Sequence, residues 1–216
     1  MFNTSIDLNK ILGNRQRVLV TGGAGFIGSA IIRRLIGETS AKIFNLDKIG
    51  YASDLTSIRE ILNNKSIKER ENYKLLKVDL ADPYTTYKAI KEADPDLVMH
   101  LAAESHVDRS IESPSNFISS NVMGTFNLLE AAKDHYHSLP IKRKRNFRIH
   151  HISTDEVFGS LGPTESFSEA SPYDPKSPYS ASKAASDHLM RSWHNTYDLP
   201  IIITNCSNNF GPWQFP

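Results

Sequence analysis

A glycine-rich segment between a strand pattern and a helical pattern constrains the fold of this chain more than any other sequence feature. Residues 21–28 read Thr-Gly-Gly-Ala-Gly-Phe-Ile-Gly and follow the apolar run of residues 17–21, which is typical of a β-strand. Glycine is needed where a turn requires positive φ and where backbone must approach a ligand closely. The helix expected to begin near Gly28 would present free N–H groups to a phosphate. Gly22, Gly25 and Gly28 therefore predict a site for the pyrophosphate of a dinucleotide.

Asp47 adds a second reason to expect a dinucleotide. It closes the second predicted strand and lies about 20 residues beyond the glycines, where an acid binds the ribose 2′-hydroxyl. Its carboxylate would repel a 2′-phosphate, so the sequence favours NAD over NADP, although the adjacent Lys48 weakens this preference. Asp79, ending the third predicted strand, is a candidate adenine contact or a purely structural aspartate. Small residues at 102–103 would let the backbone pass beneath a dinucleotide, or serve only tight packing.

The order of apolar runs predicts the architecture. Short β-rich runs alternate with longer helical patterns, which is the signature of a doubly wound parallel sheet, the Rossmann type of α/β fold. We expect one NAD-binding domain over residues 16–216, a polar extension at residues 1–15, and a surface loop from Gly159 to Pro178. The expected strands are residues 17–21, 42–47, 73–79, 97–101, 146–153 and 199–204. The first helix is expected to begin near Gly28, and the other helices cover residues 55–62, 83–93, 114–137 and 179–197.

Composition argues against several other classes of protein. Lys and Arg total 25 against 24 Asp and Glu, so the net charge of +1 does not suit a dedicated nucleic-acid binder. We interpret the basic run at residues 142–145 as a solvated loop. The single cysteine excludes a disulfide framework, and the histidines are not spaced to share a metal ion. Because neither a membrane span nor a signal segment is evident, the sequence predicts a cytoplasmic protein with no membrane, nucleic-acid or metal partner.

Tyr179 and Lys183 stand at positions i and i+4 of a predicted helix and would share one face. Tyrosine is a poor base at its free pKa of ~10. A neighbouring ammonium favours the phenolate, so we expect Lys183 to lower the pKa of Tyr179. The pair can then take a proton from a sugar hydroxyl while a hydride leaves the same carbon for nicotinamide. A simple surface pair is the alternative, and the glycine-rich segment favours the functional interpretation.

Two adjacent carboxyl groups follow the fifth predicted strand. Asp155 and Glu156 come directly after Ser153 and Thr154, at the sheet edge where active sites of this fold lie. In extended backbone the two side chains would point to opposite sides, so they need not share one role. One protonated and one ionised carboxyl group would suit loss of a hydroxyl and removal of a neighbouring C–H proton. A pair that only caps a loop is equally compatible with the spacing.

Over residues 16–216 the chain resembles the extended short-chain dehydrogenase/reductase family, and within it the nucleotide-sugar 4,6-dehydratases. The most specific stretches are Leu-Ala-Ala-Glu-Ser-His-Val-Asp-Arg-Ser at 101–110, His-Ile-Ser-Thr-Asp-Glu-Val-Phe at 151–158, Ser-Pro-Tyr-Ser-Ala-Ser-Lys at 177–183 and Asn-Cys-Ser-Asn-Asn at 205–209. The Thr-Asp-Glu triplet carries the most weight, because related epimerases lack this acid pair at the same strand end.

The resemblance implies a dehydration of dTDP-glucose with NAD as the cofactor. Tyr179, aided by Lys183 and Thr154, would remove the proton of the C4 hydroxyl as hydride passes to NAD. Glu156 would take the C5 proton, and Asp155 would protonate the departing C6 hydroxyl. The hydride would then return to C6 to give a 4-keto-6-deoxy sugar. The family also implies a homodimer for the full-length protein.

The resemblance assigns further contacts residue by residue. The positions that match cofactor contacts of the family, together with those already argued, are Gly22, Gly25, Phe26, Ile27, Gly28, Asp47, Lys48, Asp79, Leu80, Leu101, Ala102, Ala103, Ser105, Ser120, Tyr179, Lys183 and Asn209. The positions on or beside its sugar contacts are Ser105, His106, Thr154 and Asn208.

Members of the family continue past the position of Pro216 with a lobe that binds the nucleotide sugar. The resemblance therefore implies that most of this substrate lobe is missing from the chain. Two other functions stay open at this point: another nucleotide-sugar dehydratase or epimerase, and a non-catalytic NAD-binding fragment. The pair Asp155 and Glu156 argues against an epimerase, and turnover by the chain would eliminate the fragment interpretation.

Overall fold

Six parallel strands form one sheet at the centre of the fold. The structure, a computed structural model, describes residues 7–13 and 15–214. The strands are β1 (Arg17–Thr21), β2 (Lys42–Asp47), β3 (Tyr73–Lys77), β4 (Leu97–His100), β5 (Arg148–Thr154) and β6 (Ile201–Cys206). They lie in the order β3-β2-β1-β4-β5-β6, and every neighbouring pair is parallel.

Helices connect the strands and cover the sheet. In chain order they are α1 (Leu8–Leu12), α2 (Phe26–Glu38), α3 (Thr56–Asn63), α4 (Ile67–Arg70), α5 (Pro83–Ala93), α6 (Val107–Glu112), α7 (Pro114–Phe117), α8 (Gly124–Ser138), α9 (Ile141–Asn146) and α10 (Pro178–Tyr197). A π-helical segment, Ile118–Met123, joins α7 to α8, and a 3₁₀ turn, Asp155–Phe158, follows β5. Within the described residues, no helix is long and apolar enough to cross a membrane.

Two apolar clusters bury the two faces of the sheet. Val18 and Val20 of β1 pack with α1, α2 and α3 around Ile32, all three side chains being fully buried. Leu19 of the same strand packs on the other face with α5, α8 and α10 around Leu128, and both are fully buried. Successive side chains of a strand point to opposite faces, so β1 serves both cores.

The strand order reverses beside β1, with β2 and β3 on one side and β4, β5 and β6 on the other. In open sheets of this kind, ligands bind outside the carboxyl ends of the strands at such a point. The predicted doubly wound parallel sheet is therefore confirmed. Its expected strand limits differ from the observed limits by at most two residues.

The acid pair after β5 departs from the expected backbone. Asp155 and Glu156 begin the 3₁₀ turn instead of continuing the strand. The hydroxyl of Thr154 accepts a hydrogen bond from the Glu156 N–H (3.2 Å) and so caps this turn. The prediction that the two acids alternate across extended backbone was therefore wrong.

The helix expected over residues 114–137 is interrupted by the π-helical segment. Asn121 lies buried in this segment, where its Oδ1 accepts from the Glu104 N–H (2.8 Å). Its Nδ2 donates to the Glu104 carbonyl (2.9 Å) and to the Ser182 hydroxyl (2.8 Å). One amide side chain therefore joins the loop after β4 to α10.

Helix α1, which lies within the predicted polar extension, contributes to the core. Helix α1 lies against α2 and buries Leu12, and the Arg15 guanidinium donates to the Asn146 carbonyl (2.7 Å). Residues 1–6 and residue 14 of the predicted polar extension lie outside the described residues.

The buried carboxylate of Asp96 binds backbone and side-chain groups at the amino end of the sheet. Asp96 Oδ2 accepts from the backbone N–H groups of Gln16 (3.1 Å) and Arg17 (3.2 Å). Its Oδ1 accepts from the Arg143 guanidinium (2.8 Å), which also contacts both carboxylate oxygens of Asp94 (2.9 Å each). The interpretation of the basic run as a solvated loop is therefore wrong, because residues 142–145 lie in α9 and Arg143 is engaged in ion pairs within the protein.

We expect Asp96→Asn to lower the free energy of unfolding by about 2–4 kcal/mol, because it removes the charge facing Arg143 and one acceptor for backbone N–H groups. Urea denaturation at pH 7 measures this change. Asp134→Asn, at an exposed position of α8, is the matched control and should alter stability by less than about 0.5 kcal/mol. Equal stability of the two variants would contradict the structural role of Asp96.

Candidate active site

The glycine-rich turn is packed against the end of β4. Gly22 has a φ of +69°, and a Cβ placed on it would lie 2.7 Å from the Cα of Ala102. A Cβ on Gly28 would lie 2.2 Å from the carbonyl oxygen of Gly22. Both positions therefore exclude a side chain. The turn fits the bare backbone cradle that a dinucleotide pyrophosphate requires.

Helix α2 begins at Phe26, two residues earlier than expected. Gly25 is its N-cap residue, and within the described residues no side chain caps the N–H groups of the first turn. Uncapped N–H groups and the positive end of the helix dipole suit a phosphate. Ile27, a predicted cofactor contact, is 37% exposed at this helix end.

Asp47 already binds backbone at the end of β2. Its Oδ2 accepts from the Ala24 N–H of the glycine-rich turn (2.9 Å). Its Oδ1 accepts from the Ile49 N–H (2.8 Å) and from the Ser53 hydroxyl (2.9 Å). Ile49 has a φ of 58°, an unusual conformation for a β-branched residue. A carboxylate has about four acceptor positions, so Asp47 retains capacity for a ribose hydroxyl.

A cleft of about 300 Å³ lies beside Asp47 and gathers three predicted cofactor residues, Lys48, Asp79 and Ser120. The Lys48 ammonium donates to the Glu104 carboxylate (2.6 Å) and to the Ser120 hydroxyl (3.1 Å). Asp79 lies two residues past the end of β3 rather than at its last position. Glu104 was missed by the sequence reasoning as a member of this cleft, although it stands in the stretch that carries the family resemblance.

The remaining predicted contacts are spread along the same edge. Leu80 differs from them, because its side chain is buried in the core and its carbonyl accepts from the Asn127 amide (2.8 Å). Asn208 and Asn209 lie in the exposed stretch after β6, where the Asn209 amide donates to the nearby Ser207 carbonyl (3.0 Å). The predicted contacts in the half-buried or exposed backbone between β4 and α6 are Leu101, Ala102, Ala103, Ser105 and His106.

Helix α10 carries Tyr179 and Lys183 beneath the end of β5. A capping box between Ser177 and Ser180 fixes the start of this helix, so Tyr179 falls in its first turn and Lys183 one turn later. Both side chains are buried. The Lys183 ammonium donates to the Ile152 carbonyl of β5 (2.9 Å).

The ionisation of Tyr179 is governed by burial and by the acids that follow β5. Burial, and then the charge of Glu156, raise the pKa of Tyr179 to about 12, while the Thr154 hydroxyl opposes this rise. The expected net lowering of this pKa is therefore wrong for the protein as the structure shows it. The reason is that burial and the charge of Glu156 outweigh the groups that favour the phenolate.

Burial also changes the pKa values of Glu156 and Lys183. Burial and the charge of Asp155 raise the pKa of Glu156, which makes its carboxylate a stronger base. Burial lowers the pKa of Lys183 to about 8, and the charge of Asp187 opposes this change. Lys183 is therefore mainly an ammonium at neutral pH.

Two buried histidines lie under this edge of the sheet. His100 on β4 and His151 on β5 have ring centroids 5.1 Å apart. The ring nitrogens of His100 lie within hydrogen-bond distance of the hydroxyls of Thr21 (2.7 Å) and Thr125 (3.0 Å). Burial lowers the pKa of both histidines, that of His151 to about 4, so both are neutral at pH 7.

We expect the free energy of unfolding to fall as the pH is lowered from about 6.5 to about 4. In the unfolded chain His151 takes up a proton near its ordinary value of 6.5, whereas in the folded protein it does so only near 4. The unfolded state therefore binds more protons in this window, which costs on the order of 3 kcal/mol for this residue.

Urea denaturation at several pH values between 7 and about 4 checks this expectation. His151→Gln should flatten the dependence, and His137→Gln, at an exposed position of α8, should leave it unchanged. A dependence that is equally steep in both variants would show that His151 is not its source.

Known proteins are similar to this chain in sequence and in fold. A model of the GDP-mannose 4,6 dehydratase family matches residues 19–216. The dTDP-glucose 4,6-dehydratase of Neisseria meningitidis serogroup B is 52% identical over 202 residues, which are 93% of this chain and 55% of that protein.

Two solved structures are also similar. DesIV, a dTDP-glucose 4,6-dehydratase from Streptomyces venezuelae crystallised with NAD, matches with a TM-score of 0.79 and 38% identity over 93% of this chain and 58% of that one. The UDP-glucose 4-epimerase of Thermus thermophilus, in complex with NAD, matches with a TM-score of 0.76 and 33% identity over the same shares.

The doubly wound sheet, the glycine-rich turn and the Tyr179–Lys183 pair define an extended short-chain dehydrogenase/reductase. Within this class, the chain belongs to the GDP-mannose 4,6 dehydratase family. The resemblance deduced from the sequence is thereby confirmed. The chain spans about half the length of the curated relatives that it matches.

Proposed function

We propose that this chain carries the NAD-binding and catalytic part of a dTDP-glucose 4,6-dehydratase, a hydro-lyase that forms dTDP-4-keto-6-deoxyglucose. The observation that carries the proposal is the acid pair Asp155 and Glu156, whose charges both act on the phenol of Tyr179. The similarity to dTDP-glucose 4,6-dehydratases of Neisseria meningitidis and Streptomyces venezuelae supports this substrate.

The glycine-rich turn and its surroundings fit NAD. When bound, this cofactor would accept a hydride from C4 of the sugar and supply it again to C6. The cradle around Gly22 and the first turn of α2 would hold the pyrophosphate, and the remaining acceptor position of Asp47 would bind a ribose hydroxyl. Lys48 and Ser120 line the neighbouring cleft and would bind the adenosine side. The two solved relatives that were crystallised with NAD support this cofactor.

Tyr179 removes the proton of the C4 hydroxyl. Its pKa of about 12 means that it needs stabilisation as a phenolate. The Thr154 hydroxyl lies beside the phenol, and the Lys183 ammonium stands one helical turn away in the same buried region. Both groups favour the anionic form of the tyrosine during proton transfer.

Asp155 and Glu156 divide the elimination of water between them. Glu156 removes the C5 proton, which is acidic once C4 bears a carbonyl, and its raised pKa improves it as a base. Asp155, in its protonated form, gives its proton to the C6 hydroxyl, so that the C6–O bond breaks and water leaves. As the hydride is returned to C6, the proton held by Glu156 goes back to C5. Consecutive side chains of a 3₁₀ turn diverge by about 120°, which allows the two carboxyl groups to face different atoms of one sugar.

A nucleotide-sugar epimerase is the second candidate, because the Thermus thermophilus UDP-glucose 4-epimerase shares the fold at 33% identity. An epimerase returns the hydride to C4 and eliminates no water. It therefore needs no acid and base beyond the tyrosine, whereas in this chain Asp155 and Glu156 begin the 3₁₀ turn after β5 and the charges of both act on the phenol of Tyr179. This placement favours the dehydratase.

We further propose that the complete protein is a cytoplasmic homodimer. Ile118 and Met123 of the π-helical segment are 50% and 46% exposed, and Tyr197 at the end of α10 is 37% exposed. Apolar side chains on these two helices are suited to pairing with the same helices of a second copy, as the resemblance implies.

The assay that tests the function incubates two proteins with NAD and dTDP-glucose and follows loss of water from the sugar by mass spectrometry. One protein is this chain, and the other is a fusion in which this chain replaces the matched part of the Neisseria meningitidis relative. We expect the fusion to form the 4-keto-6-deoxy product. Product from the chain alone would also exclude a non-catalytic fragment.

A fusion that binds NAD but forms no product, while the intact relative is active, would contradict the proposed function. Conversion of UDP-glucose to its C4 epimer, without water loss from dTDP-glucose, would establish the epimerase instead.

We expect the double variant Asp155→Asn with Glu156→Gln, made in the fusion, to lose at least about 100-fold in the rate of water elimination. Its affinity for NAD, measured by calorimetry, should stay unchanged, because neither acid lies in the glycine-rich turn or the cleft. Glu169→Gln, in the exposed loop before α10, is the control and should keep full activity. Loss of NAD affinity in the double variant would refute the assigned roles.

A further inference from the structure

Asp187 is a fully buried carboxylate of α10 that the proposed reaction does not use. Hydrogen-bond donors reach it from β5, from β6 and from the loop that follows the 3₁₀ turn. These donors are His151 Nε2 (3.0 Å), Ser153 Oγ (2.8 Å), the Tyr173 hydroxyl (3.0 Å) and, at a longer 3.4 Å, Asn205 Nδ2. One carboxylate thus joins three segments to the helix that carries Tyr179 and Lys183.

All four donors of Asp187 are neutral. Burial keeps the pKa of His151 at about 4, so at neutral pH this ring donates Nε2–H without a positive charge. Its Nδ1 is then an acceptor, and within the described residues it has no hydrogen-bond partner. Although burial disfavours its charge, the hydrogen bonds from His151 and Ser153 leave the pKa of Asp187 below its ordinary value. Asp187 is therefore a buried anion held by uncharged partners.

Lys183, like Asp187, is a buried charge whose hydrogen-bond partner is uncharged. It is a buried cation, and the acceptor of its ammonium is the uncharged Ile152 carbonyl. Lys183 and Asp187 occupy positions i and i+4 of α10, where Cβ atoms lie about 5–6 Å apart. An isolated charge is costly to bury, and an opposite charge at this separation offsets part of that cost.

The other ionisable groups that face Lys183 come from the strands packed against α10. They are His100 on β4, His151 on β5 and Cys206 on β6. The two histidines are neutral at pH 7, and the charge of Asp187 affects the pKa of Lys183 more than Cys206 does. Asp187 is thus the main counter-charge to this lysine.

We propose that Asp187 is a positioning residue: its carboxylate, fixed by four uncharged donors one helical turn beyond Lys183, is the counter-charge that keeps this buried lysine an ammonium. The charge balance between the two residues stands independently of the reaction. Its catalytic consequence rests on the proposed function, because it is there that Lys183 assists Tyr179.

Nuclear magnetic resonance of the ¹³Cε and ¹⁵Nζ atoms of labelled lysine in this chain tests the proposal without any substrate. Lys183→Met identifies the signal of Lys183. In the unmodified chain we expect this signal to titrate near pH 8. Asp187→Asn should lower the midpoint by about one to three pH units, since it removes an opposite charge close to the ammonium.

Two further variants separate this effect from a loss of packing. Asp187→Glu keeps the charge and should restore a midpoint close to that of the unmodified chain. Asp134→Asn, at the exposed position on α8, should not move it. An unchanged Lys183 midpoint in a folded Asp187→Asn protein would overturn the proposal, because a merely structural aspartate would not affect this titration.

If Asp187→Asn does not fold, a second measurement tests whether Asp187 is the counter-charge to Lys183. Electrostatic coupling is reciprocal, so Lys183→Met should raise the pKa of Asp187, observed through its ¹³C carboxyl signal. No change in that pKa would overturn the proposal.

In the active fusion, the rate is expected to fall as the pH rises through the Lys183 pKa, and Asp187→Asn should move this fall to lower pH. A fusion without any activity would contradict the proposed function, while the lysine titration would still decide the role of Asp187.

Discussion

The close contact between the glycine-rich turn and the end of β4 is the constraint on which the rest of the site depends. Gly22 lies so near Ala102, and Gly28 so near the Gly22 carbonyl, that neither position tolerates a side chain. This contact fixes the start of α2 beside the point where the strand order reverses. It also brings the Ala24 N–H to Asp47, so that the acidic end of β2 is tied to the same turn. The cradle is therefore built from backbone, and neighbouring side chains serve to hold it.

Burial of charged groups governs the part of this edge that carries Tyr179 and Lys183. Tyr179 and Lys183 lie beneath β5, and burial disfavours the charged form of each. Glu156 adds to this effect on the tyrosine, whereas Asp187 opposes it on the lysine. The fold thus raises the pKa of the Tyr179 phenol and places it in the same buried region as Thr154 and Lys183, which can stabilise its anion. Such an arrangement is suited to a proton transfer that is coupled to departure of a hydride from the substrate.

The sequence predicted the sheet and the longer helices that connect its strands, because apolar periodicity and glycine spacing are local signals, but it did not predict the short helices α1, α4, α6 and α9. It did not predict the 3₁₀ turn at Asp155, which depends on a cap by the preceding Thr154 hydroxyl. The interruption of the long helix depends on bonds from Asn121 to Glu104 and Ser182, which are distant in the chain. The environment of Asp187 was missed for the same reason. The pKa of Tyr179 moved opposite to expectation because helical spacing alone does not reveal burial.

The most direct test of the central claim follows one hydrogen atom through the reaction. The fusion of this chain with the remaining part of the Neisseria meningitidis relative would be given NAD and dTDP-glucose that carries deuterium at C4. If one site removes the C4 hydrogen as hydride and returns it after water has left, the deuterium will be found at C6 of the 4-keto-6-deoxy product. Product with deuterium lost to solvent, or retained at C4 of an epimer, would contradict the dehydratase mechanism at this edge of the sheet.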